Sequence, residues 1–312
     1  MDVRHVHNCQ QTVEGTTANM GTKNLSSSIA VLPPELMRGV ISFAVGPHEH
    51  DTIFRLSRVS QSFRQTVLDM SWLFTDASWN CWPTPLLDLW CRRARAQPLT
   101  VFLAAMTIDR LTVGEAPELK ALLELCSRRW GTLTFVTISD ERCIGFLERL
   151  LQCACPLLHT IRIMGEAGFG TTLHLHPDYL PSLQTLLLGR IWPIFSTSPT
   201  SVTELTFDTI CSEDWSPLLN TVKSCHLIQK LTIHSWRYSG DNLISFPAIT
   251  GKVALSSLTH LEIDGMEVNL APAISQFLSH CDIPKLKSLN VRDQYFEMPG
   301  AFESLCQSVV RR

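Results

Sequence analysis

His48-Glu49-His50-Asp51 places two imidazoles and two carboxylates in four consecutive residues, a composition that suits a divalent metal. Two further histidines, His174 and His176 in "LHLH", fall on one side of an extended chain. His5, His7 and Cys9 form a third group, and Cys153 and Cys155 are the closest pair of thiols. A structural zinc site needs four ligands and a catalytic one three plus an open position. None of these groups has a further Cys, His or carboxylate at ligand spacing, so each reads as polar loop, strand or tail, and no metal or cofactor is expected. The Walker A loop, G-x-G-x-x-G, G-x-S-x-G and H-E-x-x-H are all missing from the chain. The expectation is therefore a protein that binds rather than an enzyme.

Composition agrees with that expectation. Of 312 residues 45% are hydrophobic and 18% charged, enough apolar matter for a large core, and the net charge is -3. Nothing in that balance suits nucleic acid; Arg92, Arg93 and Arg95 read as the solvated last turn of a helix. Eleven cysteines without a repeated spacing, a start lacking a secretory apolar region, and no apolar run of about 20 residues imply an intracellular chain with buried thiols and no membrane span.

The elements that would position any site fall into four parts. Residues 1–28 are polar and patternless, a disordered tail. Residues 29–76 form a compact helical group: a first helix over 34–45, opened by Pro34 and Glu35 and stopped at Gly46-Pro47, then a helical region from Asp51 or Thr52 through Met70. Residues 77–98 hold a linker helix, and from 99 to 312 strand and helix signals alternate.

That alternation contains a repeat of apolar-x-x-apolar-x-apolar: "LTFVTI" from Leu133, "LHTIRI" from Leu158, "LQTLLL" from Leu183, "VTELTF" from Val202, "IQKLTI" from Ile228, "LTHLEI" from Leu258 and "LKSLNV" from Leu286. The starts lie 25, 25, 19, 26, 30 and 28 residues apart, and Pro156, Pro181 and Pro284 each precede an anchor by two places. Between them run helical return segments such as "APELKALLELCSRR" and "SEDWSPLLNTVKSC". This resembles a divergent leucine-rich repeat, whose period of about 20–29 residues yields a strand and a return leg stacked on their neighbours. The resemblance implies an α/β repeat solenoid of short parallel strands over 99–312. The residues between the apolar ones would then face a partner: Arg162, Thr206, Lys230, Thr232, His260, Glu262 and Asn290.

The helical group has its own resemblance. "LPPELMRGVISFAV", then "LSRVSQSFRQTV", then "SWLF" is similar to the F-box. Leu32, Pro33, Glu35 and Leu36 match its opening and Ile41 its first helix. Leu56, Val59, Ser60 and Phe63 match its middle, with Phe63 in place of the usual Trp and Ser60 of the usual Cys, and Trp72 matches its close. The resemblance implies a three-helix unit that docks, through these residues and Pro34, on the SKP-family adaptor subunit and so on a cullin. Leucine-rich repeats would then hold a substrate protein for ubiquitination, the chemistry residing on other subunits. The alternative is a leucine-rich scaffold with no ubiquitin-ligase role.

Overall fold

A computed structural model describes residues 32–46, 49–78, 83–104, 107, 117–136, 141–164, 171–208, 210–211, 214–237, 252–265 and 277–293. The expected tail, 1–28, lies outside them. The protein is α/β, and it divides between Asp69 and Met70 into two compact units.

The first unit is helical. Helix α1 (Pro34–Ala44) starts where expected: Pro34 fixes φ in the first turn, Glu35 lies against the positive helix end, and the Pro33 carbonyl accepts the Met37 amide at 3.0 Å. The helical region expected from Asp51 or Thr52 through Met70 is two helices, α2 (His50–Leu56) and α3 (Gln61–Asp69). Ser60 makes the break, because its Oγ accepts the Phe63 amide at 3.1 Å and so caps α3. Helices α1 and α2 both pack on α3. Met37, Ile41, Ile53, Phe63 and Val67 fill the space between them, with Ser62 Oγ 3.8 Å from Met37 Sδ.

The second unit is built on a parallel sheet. Its strands are β1 (Asp76–Ser78), β2 (Leu99–Ala104), β3 (Trp130–Val136), β4 (Thr160–Met164), β6 (Thr185–Leu188), β8 (Glu204–Phe207), β10 (Lys230–Arg237), β12 (His260–Gly265) and β14 (Ser288–Asp293). They lie side by side in chain order, every neighbouring pair parallel, and short β9 (Ile210–Cys211) also pairs with β10. The return legs carry α5 (Pro117–Cys126), α6 (Glu141–Leu151) and α7 (Trp215–Ser224). They also carry two small parallel pairs, β5 (Thr172–Leu175) with β7 (Trp192–Phe195) and β11 (Val253–Ala254) with β13 (Cys281–Asp282). The leg between Leu183 and Val202, 19 residues from anchor to anchor, holds a strand where a helix would not fit.

A recurring turn sets this register. The amides of five anchors donate to the carbonyl three residues back: Leu158 to Cys155, Leu183 to Leu180, Ile228 to Cys225, Leu258 to Leu255 and Leu286 to Ile283. Pro156, Pro181 and Pro284 stand second in three of these turns, where a fixed φ near -65° is wanted. The apolar residue that opens the turn and the anchor that closes it are both buried in the first four. The next residues then bond to the preceding strand, as in Gln184 N to His159 O and Thr203 N to Gln184 O, both 2.9 Å.

Two sequence expectations need correction. The hexamer from Leu133 is out of step, since Leu133 pairs with Ile161 and Phe135 with Ile163. The matching stretch is "WGTLTF" from Trp130, with Trp130, Leu133 and Phe135 all buried. Residues 70–78 and 83–98 are neither the end of the helical group nor a linker. Strand β1 joins the sheet through β2, the Phe74 and Trp90 rings meet edge to face at 4.7 Å, and Trp90 Nε1 donates to the Asp76 carbonyl at 2.9 Å. Helix α4 (Thr84–Arg93) buries Leu87, Trp90 and Cys91, and Arg129 fastens it by donating to the Cys91 carbonyl at 3.0 Å. Pro33 and Pro83 stand just before α1 and α4, each with an extended backbone and no capping side chain, and Thr84 is the first residue of α4.

Candidate functional site

Helix α1 carries apolar residues along two lines. Met37 and Ile41 point into the first unit, Ile41 being 0% exposed. Leu36, Val40 and Phe43, at i, i+4 and i+7, form the second line and are 57%, 47% and 96% exposed. Exposed Pro33 and half-buried Leu32 lie at its N-terminal end, and Pro34 and Glu35 are exposed beside it. An aligned, uncovered apolar stripe on a short helix is the kind of surface that a partner covers.

The structure divides the expected docking residues. Leu32, Pro33, Pro34, Glu35 and Leu36 stay accessible, and Val59 is exposed on the bend after α2. Ile41 and Phe63 do not: three short helices have little apolar matter to spare, and both are consumed by the core. Ser60 is committed to capping α3, and Leu56 is half-buried. Trp72 is half-exposed in the 3-10 turn Ser71–Phe74, which belongs to the second unit. Val40 and Phe43 were missed by the sequence reading. Their signal was the apolar content of α1, which is too high for a helix with one buried line.

In the second unit, alternation along each strand turns one set of side chains inward and the other out. Leu186, Leu188, Leu205, Phe207, Leu231, Ile233, Leu261 and Ile263 are buried on the inner face. On the outer face, register puts Arg162, Leu187, Thr206, Thr232, Glu262 and Asn290 in one continuous row. A parallel row holds Lys230 and His260 between Glu204 and Ser288. The structure thus brings all seven expected residues onto one face.

They are not equally available. Thr232 is 3% exposed and its Oγ1 has no hydrogen-bond partner among the described residues, because a short side chain sits below its longer neighbours Lys230, His234 and Glu262. It is not an accessible contact. Glu262 Oε1 accepts from Arg292 Nη2 at 3.2 Å and Asn290 Nδ2 at 3.3 Å, while His234 Nδ1 lies 3.9 Å from Asp264 Oδ2. His260 is exposed and its Nδ1 is 2.8 Å from Thr259 Oγ1. Thr134 takes the outer-face position beside Arg162 in this row.

Among the described residues no group of three His, Cys, Asp or Glu side chains could hold a metal ion. His50 begins α2, and His174 is exposed on β5, its amide donating to Glu148 Oε1 at 2.6 Å. His176 lies beside the Tyr179 ring; His5, His7, Cys9 and His48 lie outside the described residues. No described helix is long and apolar enough to cross a membrane. No family model matches the chain, and no curated protein is similar to it.

Proposed function

We propose that this chain is the substrate-recognition subunit of an SCF-type ubiquitin ligase. The first unit acts as an F-box that docks on the SKP-family adaptor, and the second acts as a leucine-rich-repeat domain whose outer sheet face holds the substrate protein. The observation that carries this reading is the stripe Leu36, Val40 and Phe43, continuous with the Leu-Pro-Pro-Glu-Leu opening that resembles the F-box. Three large apolar side chains left in water by an otherwise packed unit are a standing source of binding energy, about 25 cal/mol for each Å² covered. The ordered strands and recurring turns of the second unit support the repeat assignment. Ubiquitin transfer itself would occur on other subunits of the ligase.

Co-expression with the adaptor tests the reading. Wild-type chain is recovered with the adaptor, and the double variant Leu36→Lys/Phe43→Asp loses at least about tenfold in recovery, equivalent to about 1.4 kcal/mol. Both substitutions are on the surface, so thermal melting stays unchanged. Equal recovery of the two chains, or none with either, would leave the alternative of a leucine-rich scaffold without a ligase role.

A further inference from the structure

The outer face of the sheet divides into two halves of different chemistry. From β8 to β14 it is densely charged, and part of that charge is paired: Glu262 is held by Arg292 and Asn290, and Asp264 faces His234. From β2 to β6 the described residues of the face are neutral, apart from one guanidinium. Arg162 is exposed on β4, flanked in register by Thr134 and Leu187, and makes no ion pair or side-chain hydrogen bond among the described residues. Around it lie exposed Met164, two residues along β4, and half-buried Phe102, Val136 and Leu187. An Arg on such ground is weakly hydrated and presents a planar fork that matches a carboxylate in two parallel hydrogen bonds. The apolar side chains beside it lower the local dielectric and strengthen that pairing.

We propose that this half of the face binds an acidic–apolar peptide segment of a partner protein: one Asp or Glu side chain pairs with Arg162, and an adjacent apolar side chain packs on Met164 and Leu187. The proposal rests on the reading that the second unit holds a protein partner, and it names that partner's chemistry. A carboxylate fits better than a phosphate, because phosphate recognition draws on clusters of Arg and the described residues of this half of the face supply a single cation.

The test is a selection of a phage-displayed random-peptide library on the purified full chain. Enriched peptides are expected to carry Asp or Glu next to Leu, Ile, Met or Phe. A synthetic peptide taken from the enriched set should lose about tenfold or more in affinity for the R162A chain, corresponding to about 1.4 kcal/mol, and should weaken with added salt. The charge-reversed R162E chain should enrich Lys or Arg in place of the acid. Because Arg162 is exposed, both variants should melt with the wild type, and the M164D chain should lose the apolar preference. An empty selection, enrichment without acidic residues, unchanged enrichment with R162E, or binding only by a phosphorylated peptide would each overturn the proposal. Adaptor recovery from the same preparation reads the ligase assignment separately: a chain that selects acidic–apolar peptides but recovers no adaptor keeps this site and loses that assignment.

Discussion

Cys155 and Cys225 open two of the recurring turns and Cys281 lies in β13, all three buried as free thiols. Burial pushes each thiol from 9.0 up to about 12, and for Cys155 the nearby Cys153 adds to the effect. In the unfolded chain these groups ionise near pH 9, whereas in the folded chain they keep their protons up to about 12. Above pH 9 the unfolded state therefore binds fewer protons, and stability falls as pH rises, by about 1.4 kcal/mol per unit for each thiol within that window. Below pH 9 their contribution is fully present. Denaturant unfolding at about pH 8 and about pH 10.5 checks this: Cys225→Ala starts about 1 kcal/mol less stable from its small cavity but loses less on going alkaline than the wild type. Parallel losses in the two chains would contradict it. Buried thiols were expected from the cysteine content, but their place in the recurring turn was not. An apolar-Pro-x-apolar turn is legible at Leu180 and Ile283, but Cys225 is followed by His226, and only the packed turn shows its sulfur doing what a leucine does elsewhere.

At the scale of elements, the strands were easier to read than their steps. Apolar residues at three, then two, places apart identify a strand following a turn, and six of the seven expected hexamers fall on the sheet in order. The first failed because "WGTLTF" and "LTFVTI" overlap and both satisfy the pattern; no proline marks the turn before Trp130 to choose between them. The end of α4 shows what local sequence can hide. Arg95, just past the helix, has φ of 54°, a left-handed conformation that favours glycine and costs an Arg about 1 kcal/mol. Arg95→Gly should stabilise the second unit by about 0.5–1 kcal/mol, read as a higher denaturant midpoint with an unchanged slope. A lower midpoint would show that the Arg side chain does more for the helix end than its backbone costs.

At the scale of the whole molecule, the helical group and the alternating region were both visible, yet the boundary between them lay earlier than composition suggested. Trp72 looked like the close of the helical group by sequence order, but Leu73, Phe74 and Ala77 are buried in the second unit and β1 pairs with β2. Order along the chain is a weaker guide than the burial each residue finds. The stripe on α1 was legible as apolar and illegible as outward, since deciding which line faces in requires the packing of α3.

Each unit has its own core, Ile41 with Phe63 in the first and Phe135 with Phe207 in the second. A core truncation should therefore act on the unit that contains it. Removing buried methylenes costs about 2–5 kcal/mol for Ile→Ala and about 3–5 kcal/mol for Phe→Ala, a large fraction of one unit's stability. In the full chain, Ile41→Ala should speed amide exchange across α1, α2 and α3 while β4 to β12 keep their protection, and Phe207→Ala should do the reverse. Hydrogen exchange read by mass spectrometry on overlapping peptides distinguishes the two patterns. Uniform acceleration over both units by either substitution would mean that they unfold as one, and the docking proposed at α1 would then be coupled to the sheet proposed to hold the partner.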